Sequence, residues 1–443
     1  MRIEIINTGA ELMLGRVLNS HQQWLCRQLT DHGYSVRRQV AIDDSAEAIE
    51  EAVRDALAKA DLVIVTGGLG PTSDDRTRDV IAQMLGRKLH EDRSVLAEIL
   101  SFFQQRRREP PETVKVQALV PEGALVLPNR MGTAPGLVLF VVPASAGHTP
   151  RFSQDAEPAE AGTTNTGSRD RLQMLIMLPG PPRELKPMFL EQALPLIQKR
   201  FPPAQPLVCR TLKTTGMGES FLEQKIVGPV AHLLPVGLEL GYCARTGEVD
   251  LRFVARGSKA AEIIAEAEKI ARAELGQIIF GTDDEQLESV VVRLLTERKQ
   301  TLSLAESCTG GYIANRLTNV PGASAVLLAG LVTYSNAAKQ NFLGVTAQSL
   351  DTHGAVSQPV AKEMADGARQ RTQSDYAISV TGIAGPGGGT ETKPVGTVFI
   401  GVASSHGTEI RHHRNSYDRE TFKYVTSQQA LEMLRQTILK ASS

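Results

Sequence analysis

The first third of the chain alternates short apolar runs with amphipathic stretches. "RIEIINTG", "YSVRRQVAI" and "DLVIVTGG" read as strands, because compact apolar runs that end in glycine or polar residues suit a buried sheet. Between them "SHQQWLCRQLTDHG" carries helical spacing and stops at Gly33, and "SAEAIEEAVRDALAKA" predicts an amphipathic helix with Ser45 as N-cap. This β-α-β-α-β order implies a parallel sheet with helices on both faces, whose ligands sit at the carboxyl ends of the strands. Those ends fall at Thr8–Glu11, Asp43–Asp44 and Thr66–Asp75.

Two further apolar runs, "APGLVLFVV" and "LQMLIMLPG", flank "PASAGHTPRFSQDAEPAEAGTTNTGSRDRLQ". That segment is rich in small and polar residues, so two strands joined by a long mobile loop are expected, with no chemistry in the loop. From Pro206 the pattern changes. "LVCRTLKTTG" reads as a strand, "GESFLEQKIVGPV" as a helix, "LELGYCARTGEVDLRFVARG" as a hairpin around Thr246-Gly247, and "KAAEIIAEAEKIARAELG" as a helix closed by Gly276. After Gly281 a second α/β pattern begins. Its strands are "TLSLAE", "AVLLAGLVTYS", "DYAISVTG" and "VGTVFIGVA", and "DRETFKYVTSQQALEMLRQTIL" closes it as a helix with Asp418 as cap. The expected architecture is α/β: two α/β domains with mainly parallel or mixed sheets, 1–178 and 282–443, joined by a smaller α+β domain, 179–281.

Composition narrows the class without naming a chemistry. At 443 residues the chain is too long for one core. Its 42% hydrophobic and 22% charged residues are ordinary for a globular protein, and no apolar run approaches the ~20 residues of a membrane span. The formal net charge of -1 gives no long-range field toward nucleic acid or membrane, and "QQRRRE" is too short to change that. Cys26, Cys209, Cys243 and Cys308 are widely spaced, with no C-x-x-C pair, so neither a disulfide framework nor a zinc site is expected; a reducing cytoplasm fits. The start "MRIEIINTGAELMLG" shows no cleavable signal pattern.

Two constellations carry candidate chemistry. "VIVTGGLGPTSDDRTRDV" places Gly67, Gly68 and Gly70 at a strand end, followed by Asp74, Asp75 and Asp79. Glycines let backbone amides approach a phosphate, and carboxylates beside them can hold a divalent cation that offsets its charge. The plain reading is a tight turn with Ser73 or Asp74 as helix N-cap; Glu11 and Asp43 at neighbouring strand ends favour a site. "LPGPPRELKPMF" adds Gly180, Pro181 and Arg183 at another strand end, where Arg183 could pair with a phosphate or the stretch could be only a rigid turn.

The second constellation is "LAESCTGGYIANRL". Ser307 stands where a strand ends, and Thr309, Gly310 and Gly311 open a helix whose amides could meet developing negative charge. A serine there needs a base. His353, His412 and His413 read as solvated or capping. Lys339, in the first turn of the helix after "VTYSN", could turn back to the sheet edge, and a desolvated lysine is a competent base. From spacing alone, Lys339 reads more readily as a solvated helix residue. Tyr334, Asn336, Thr381, the loop Gly382–Gly385 and Arg419 converge on the same edge.

Taken together, "TGAELMLGRVLNS", "TGGLGPTSDDRT", "MLPGPPREL" and "TTGMGES" resemble the N-terminal part of the CinA (competence/damage-inducible) family, itself similar to molybdopterin-binding domains of the MoaB/MogA type. "AESCTGG", "VTYSNAAK", "HGAVS", "TGIAGPGGG" and "KPVGTV" resemble its C-terminal, PncC-type domain. The resemblance covers nearly the whole chain. It implies a bifunctional enzyme: nicotinamide mononucleotide amidase in the C-terminal part, and metal-dependent (magnesium, manganese or cobalt) hydrolysis of ADP-ribose in the N-terminal part. Carried over, Ser307, Tyr334 and Lys339 are the amidase residues; Thr309, Gly310, Gly311, Asn336, Thr381, Gly382, Gly385 and Arg419 would meet its substrate. Gly67, Gly68, Gly70, Asp74, Gly180, Pro181 and Arg183 would meet ADP-ribose, and Asp75, Asp43 and Glu11 the cation. Ala10 stands where molybdopterin-binding relatives often carry Asp, which argues against a molybdenum-cofactor role, and the loop at 144–171 looks inserted. The resemblance further implies a homodimer. The rival expectations are a competence-related binding or regulatory protein, and a pterin-binding domain without hydrolysis.

Overall fold

The computed structural model describes residues 1–142, 172–203 and 205–441. The expected inserted loop therefore lies outside the described residues. The chain forms two compact units, Met1–Val208 with Arg256–Ser258, and Cys209–Ala255 with Lys259–Ser443. No helix among the described residues is long and apolar enough to cross a membrane.

In the first unit, strands β1 (Ile3–Thr8), β2 (Val36–Ile42), β3 (Leu62–Thr66), β6 (Leu125–Leu127), β7 (Gly136–Val141) and β8 (Gln173–Leu178) form one sheet in the order β2-β1-β3-β8-β7-β6. A separate two-stranded ladder pairs β4 (Leu89–Glu91) with β5 (Leu119–Pro121). The first four strands of the large sheet are parallel, and β7 and β6 turn antiparallel. Alternate side chains go to opposite faces, as the period of a strand requires. Val63, Val65, Leu175 and Met177 join one core with Ile49, Val53 and Ile81; Leu62, Ile64, Met174 and Ile176 join another with Leu25 and Leu29. Coverage on both faces explains why β1, β3 and β8 are buried along their whole length.

The domain boundary expected after Leu178 falls inside this unit. Leu185, Met188, Phe189, Leu194 and Ile197, from the helical run after β8, complete the second core. They share that core with Ile3, Ile5 and Ile64, so these helices belong with the first sheet.

In the second unit, β9 (Leu207–Thr215), β10 (Glu239–Arg245), β11 (Glu248–Arg256) and β12 (Ile279–Thr282) form a sheet ordered β10-β11-β9-β12, with the expected hairpin at 246–247. This module is tied to the C-terminal helices of the same unit rather than free. Arg316 donates to Ser427 Oγ (2.7 Å), Gln428 Oε1 (2.7 Å) and Glu288 (2.6 Å), and Gln428 in turn donates to the buried Glu248 of the hairpin. The last sheet contains β13 (Leu302–Glu306), β14 (Leu327–Val332), β15 (Tyr376–Gly382), β16 (Thr397–Ser404) and β17 (Gly407–Arg414), ordered β14-β13-β15-β16-β17. The three strands β14, β13 and β15 are parallel, so their carboxyl ends share one edge. Helices Leu287–Glu297, Tyr312–Thr318 and Arg419–Lys440 cover one face; Asn336–Leu343, Ala347–His353 and Gln358–Thr372 cover the other.

Candidate functional site

The carboxyl ends of β13 and β14 bring Ser307 and Lys339 together. Ser307 follows the last residue of β13, and its amide donates to Val380 O on the neighbouring strand (3.0 Å), which fixes the chain direction at the turn. Lys339 enters from the helix Asn336–Leu343, capped by Ser335, and only 1% of it is exposed. Its Nζ lies 3.0 Å from Ser307 Oγ and 2.8 Å from Thr333 O. Burial pushes the Lys339 ammonium below the ordinary lysine range, because a charge so enclosed loses its water. This is the arrangement a serine nucleophile with a lysine base requires.

Cys308, beside it, is the opposite case. Burial raises its thiol to about 12, so it is a neutral packing group at physiological pH.

The turn after Ser307 is held by a residue that sequence reasoning missed. Glu306 is 1% exposed and lies at the end of β13. Its carboxylate accepts the amides of Gly311 (3.0 Å), Ile313 (3.1 Å) and Ala314 (2.9 Å). Gly310 N–H donates to Ser307 O (3.1 Å). The amides expected at Gly310 and Gly311 to meet a ligand's charge are thus engaged within the turn. The amides of Cys308 and Thr309 lie against the Cys308 sulfur, a weak acceptor. The signal for Glu306 was present in "LAESCTGG": a carboxylate just before a helix-opening glycine pair. Thr309 is fully buried, and its hydroxyl has no partner among the described residues.

The remaining expected residues divide. Tyr334 does not reach the pair through its phenol: the residue is 62% exposed, and its hydroxyl accepts from Arg419 Nη2 (3.0 Å). Its expected part in proton relay is not supported by this geometry; only its carbonyl approaches Lys339 Nζ, at 3.5 Å. Arg419, which follows the cap Asp418, also donates to Gly385 O (2.8 Å) and so ties the Gly-rich loop to Tyr334. Thr381 is buried with its hydroxyl on Ala355 O (2.8 Å), which makes it a brace. Asn336 is exposed in the first turn of its helix. Gly382 and Gly385 admit no side chain, since a Cβ would stand 2.8 Å from Thr397 O and 2.7 Å from Val395 respectively.

In the first unit, a cavity of about 370 Å³ opens at the carboxyl ends of the parallel strands. Its wall includes Glu11, Gly67, Gly68, Gly70, Asp74, Asp75, Gly180 and Pro181. Gly67 and Gly68 take φ values of 96° and 65°, and a Cβ at Gly68 would collide with Thr77 Oγ1 at 2.1 Å, so only glycine makes this turn. The expected N-cap at Ser73 or Asp74 is absent: the helix starts at Thr77, with no side-chain cap.

Three expectations are corrected. Asp43 is not in the cavity wall; its carboxylate accepts Ser45 N (2.8 Å), and the lining residue is Asp44, which binds Ala10 N (2.7 Å). A one-residue shift on a strand end points a side chain the other way. Arg183 is outside the wall as well, exposed and 3.8 Å from Glu184; the buried Glu184 lines the cavity instead. Asp75 is engaged with its own loop, accepting from Thr72 N (3.0 Å) and Thr72 Oγ1. Among the described residues, no group of three or more His, Cys, Asp or Glu is placed to hold a metal ion, so Asp75, Asp43 and Glu11 do not form a cage.

Comparison with known proteins agrees with this division of the chain. Residues 4–199 match the family model described as "Probable molybdopterin binding domain", 209–281 the "Damage-inducible protein CinA KH domain", and 284–438 the "CinA C-terminal domain". A CinA-like protein of Akkermansia muciniphila is 42% identical over 433 residues, covering 97% of this chain and 96% of its own. One from Chlorobaculum tepidum is 40% identical over 409 residues, covering 91% of this chain and 90% of its own. A solved competence/damage inducible protein from Agrobacterium tumefaciens is 43% identical, covering 34% of this chain and 92% of that one, with a TM-score of 0.33.

Proposed function

Because this chain belongs to the CinA family, with molybdopterin-binding-like, KH and CinA C-terminal domains, we propose that it is a bifunctional enzyme of pyridine-nucleotide salvage with two separate hydrolytic sites. The C-terminal site deamidates nicotinamide mononucleotide to nicotinate mononucleotide and ammonia. The observation that carries this reading is the enclosed Lys339 Nζ, 3.0 Å from Ser307 Oγ.

Ser307 Oγ attacks the carboxamide carbon while neutral Lys339 takes its proton. The C–O bond forms and the carbonyl π pair moves to oxygen, which the amides of Cys308 and Thr309 in the turn would meet. As the C–N bond breaks, Lys339 returns the proton to the departing nitrogen and ammonia leaves. Water, deprotonated by the same lysine, adds to the acyl carbon, and as the C–Oγ bond breaks the lysine returns that proton to Ser307 Oγ, releasing the acid and restoring the neutral amine. Arg419 suits the substrate phosphate, since a guanidinium already at the rim can exchange Tyr334 and Gly385 for phosphate oxygens. Ammonia release from nicotinamide mononucleotide by the wild type, Ser307→Ala and Lys339→Ala tests the reading; near-normal turnover by either variant would overturn it.

The N-terminal cavity is read as the site of ADP-ribose hydrolysis to AMP and ribose 5-phosphate. The turn Gly67–Gly70, whose Gly67 and Gly68 only glycine can be, supports this: the Gly67 amide is held by Leu178 O, and the amides that follow it in the turn lie at the cavity wall where a pyrophosphate would meet them. A divalent cation, magnesium, manganese or cobalt, fits this wall only as an ion carried in with the pyrophosphate and held by one or two carboxylates, because the three expected ligands do not converge. When bound, it would neutralise phosphate charge. AMP formation measured with and without chelator checks the assignment. Homodimeric assembly and a cytoplasmic setting complete the proposal.

A further inference from the structure

A second cavity, of about 800 Å³, lies within the second unit and shares no wall residue with either site described above. It is bounded by the start of the helix Glu219–Val230, the turn between β10 and β11, the end of β17 and one side of the helix Arg419–Lys440. That volume is in the range of small-molecule sites.

The wall carries Arg245, Arg411 and Arg414. Arg414 is exposed, and its guanidinium has no partner among the described residues. Arg411 donates through Nε to Glu409 (2.9 Å), and Arg245 pairs through Nη2 with Asp250 (3.1 Å). A guanidinium has five N–H groups, so each has donors left for a ligand. His413, in the same wall, reports the local field: burial first, and then the charges of Arg411 and His412, hold its ring below the ordinary histidine range. The carboxylates of the wall do not cancel these charges. Glu248 accepts from Gln428, and Glu432 is held by Arg435 (2.7 Å) and Gln436 (2.8 Å). Glu219 is exposed, where water screens it.

The backbone adds donors. Gly216, at φ 77°, leads to Gly218, the N-cap of the 12-residue helix Glu219–Val230, and no side chain among the described residues caps that end. Both glycines line the cavity, so the first helical amides and the positive end of the dipole stand beside the arginines. Tyr417, half exposed in the wall, presents an aromatic face.

We propose that this cavity binds a nucleoside polyphosphate, apart from both hydrolytic sites. The phosphate chain lies across Arg411, Arg414 and the start of the helix, and the base stacks on Tyr417. Several cations in one wall match several phosphates better than one. The bounded volume and the net charge of -1 favour a single nucleotide over a nucleic-acid strand.

The test is calorimetric titration of ATP into the full-length protein with a metal chelator present. Wild type is compared with Arg411→Gln/Arg414→Gln, with Arg245→Gln, and with Arg419→Ala, which alters the amidase rim instead. Wild type should bind ATP. The double variant should bind it roughly tenfold or more weakly, as expected for lost charge-assisted hydrogen bonds, while Arg419→Ala keeps the wild-type affinity. Thermal melts check folding, and Arg245, on a different element, decides if the double variant does not fold. No binding by the wild type, or an affinity unchanged in the cavity variants, overturns the inference. So does a loss confined to Arg419→Ala, which would locate ATP at the amidase site. A single-stranded oligonucleotide titrated in parallel provides the last outcome: if it binds through the same arginines and ATP does not, the wall is a nucleic-acid surface and the nucleotide reading fails.

Discussion

The two candidate sites stand at equivalent places, the carboxyl ends of parallel strands, and they handle charge in opposite ways. The C-terminal site encloses Lys339, whose burial favours the neutral amine, and turns the carboxylate of Glu306 into a structural tie. The N-terminal cavity leaves carboxylates at an open rim, and in its wall Gln117 Oε1 is buried without a partner among the described residues. A group that must give and take a proton is tuned by removing water.

The sharpest way to break that contrast is at the enclosed pair. Ser307→Ala and Lys339→Ala should each lower ammonia release at least about a thousandfold, with folding unchanged by circular dichroism. Lysine must be neutral to act, so the wild-type rate should rise as pH climbs through its depressed pKa and level off below the range of an ordinary lysine. The sign for stability is the same. Between the depressed folded value and the ordinary unfolded one, the unfolded chain binds a proton that the folded chain does not, so stability rises with pH across that window. Lys339→Met should remove this contribution to the slope, and equal slopes in thermal melts at several pH values would count against a buried, neutral lysine.

Glu306→Ala should come next. It removes three charge-assisted hydrogen bonds to buried amides, and a destabilisation of about 2–4 kcal/mol is expected from urea unfolding. A loss under about 0.5 kcal/mol would mean that the turn does not depend on it. At the N-terminal rim, Asp75→Ala should reduce AMP formation about ten- to hundredfold by freeing the Thr72 turn. A smaller change is expected for Tyr334→Phe, which deletes only the hydroxyl held by Arg419. A loss of roughly threefold, mainly in KM, would agree with a placing role, whereas a collapse of kcat would restore the phenol to the proton path.

Much of the fold was legible because the strands are continuous apolar runs and the caps are local. Ser45 and Asp418 both cap the helices assigned to them, since a side chain reaching an amide two or three residues ahead needs nothing from the rest of the chain. The cavity at the strand ends was legible for a similar reason: topology puts loops there whatever their sequence. Asp43, in a loop, and Arg183, in the first turn of the helix Pro182–Met188, were misplaced because the direction of a side chain at a strand end is set by its neighbours' packing and hydrogen bonds, which linear spacing does not encode.

The sequence by itself determined the strands, the glycine turns and the residue types available at each edge, because these follow from local periodicity and backbone freedom. Only the tertiary structure decided what Lys339, Glu306 and Gln117 do. A lysine in the first turn of a helix is solvated unless the sheet edge closes over it. A carboxylate before two glycines is free unless the helix folds back onto it. The amide of Gln117 is ordinary unless one end is held and the other is buried without a partner among the described residues. Burial and partnership are properties of the packed molecule, and they set the chemistry of all three.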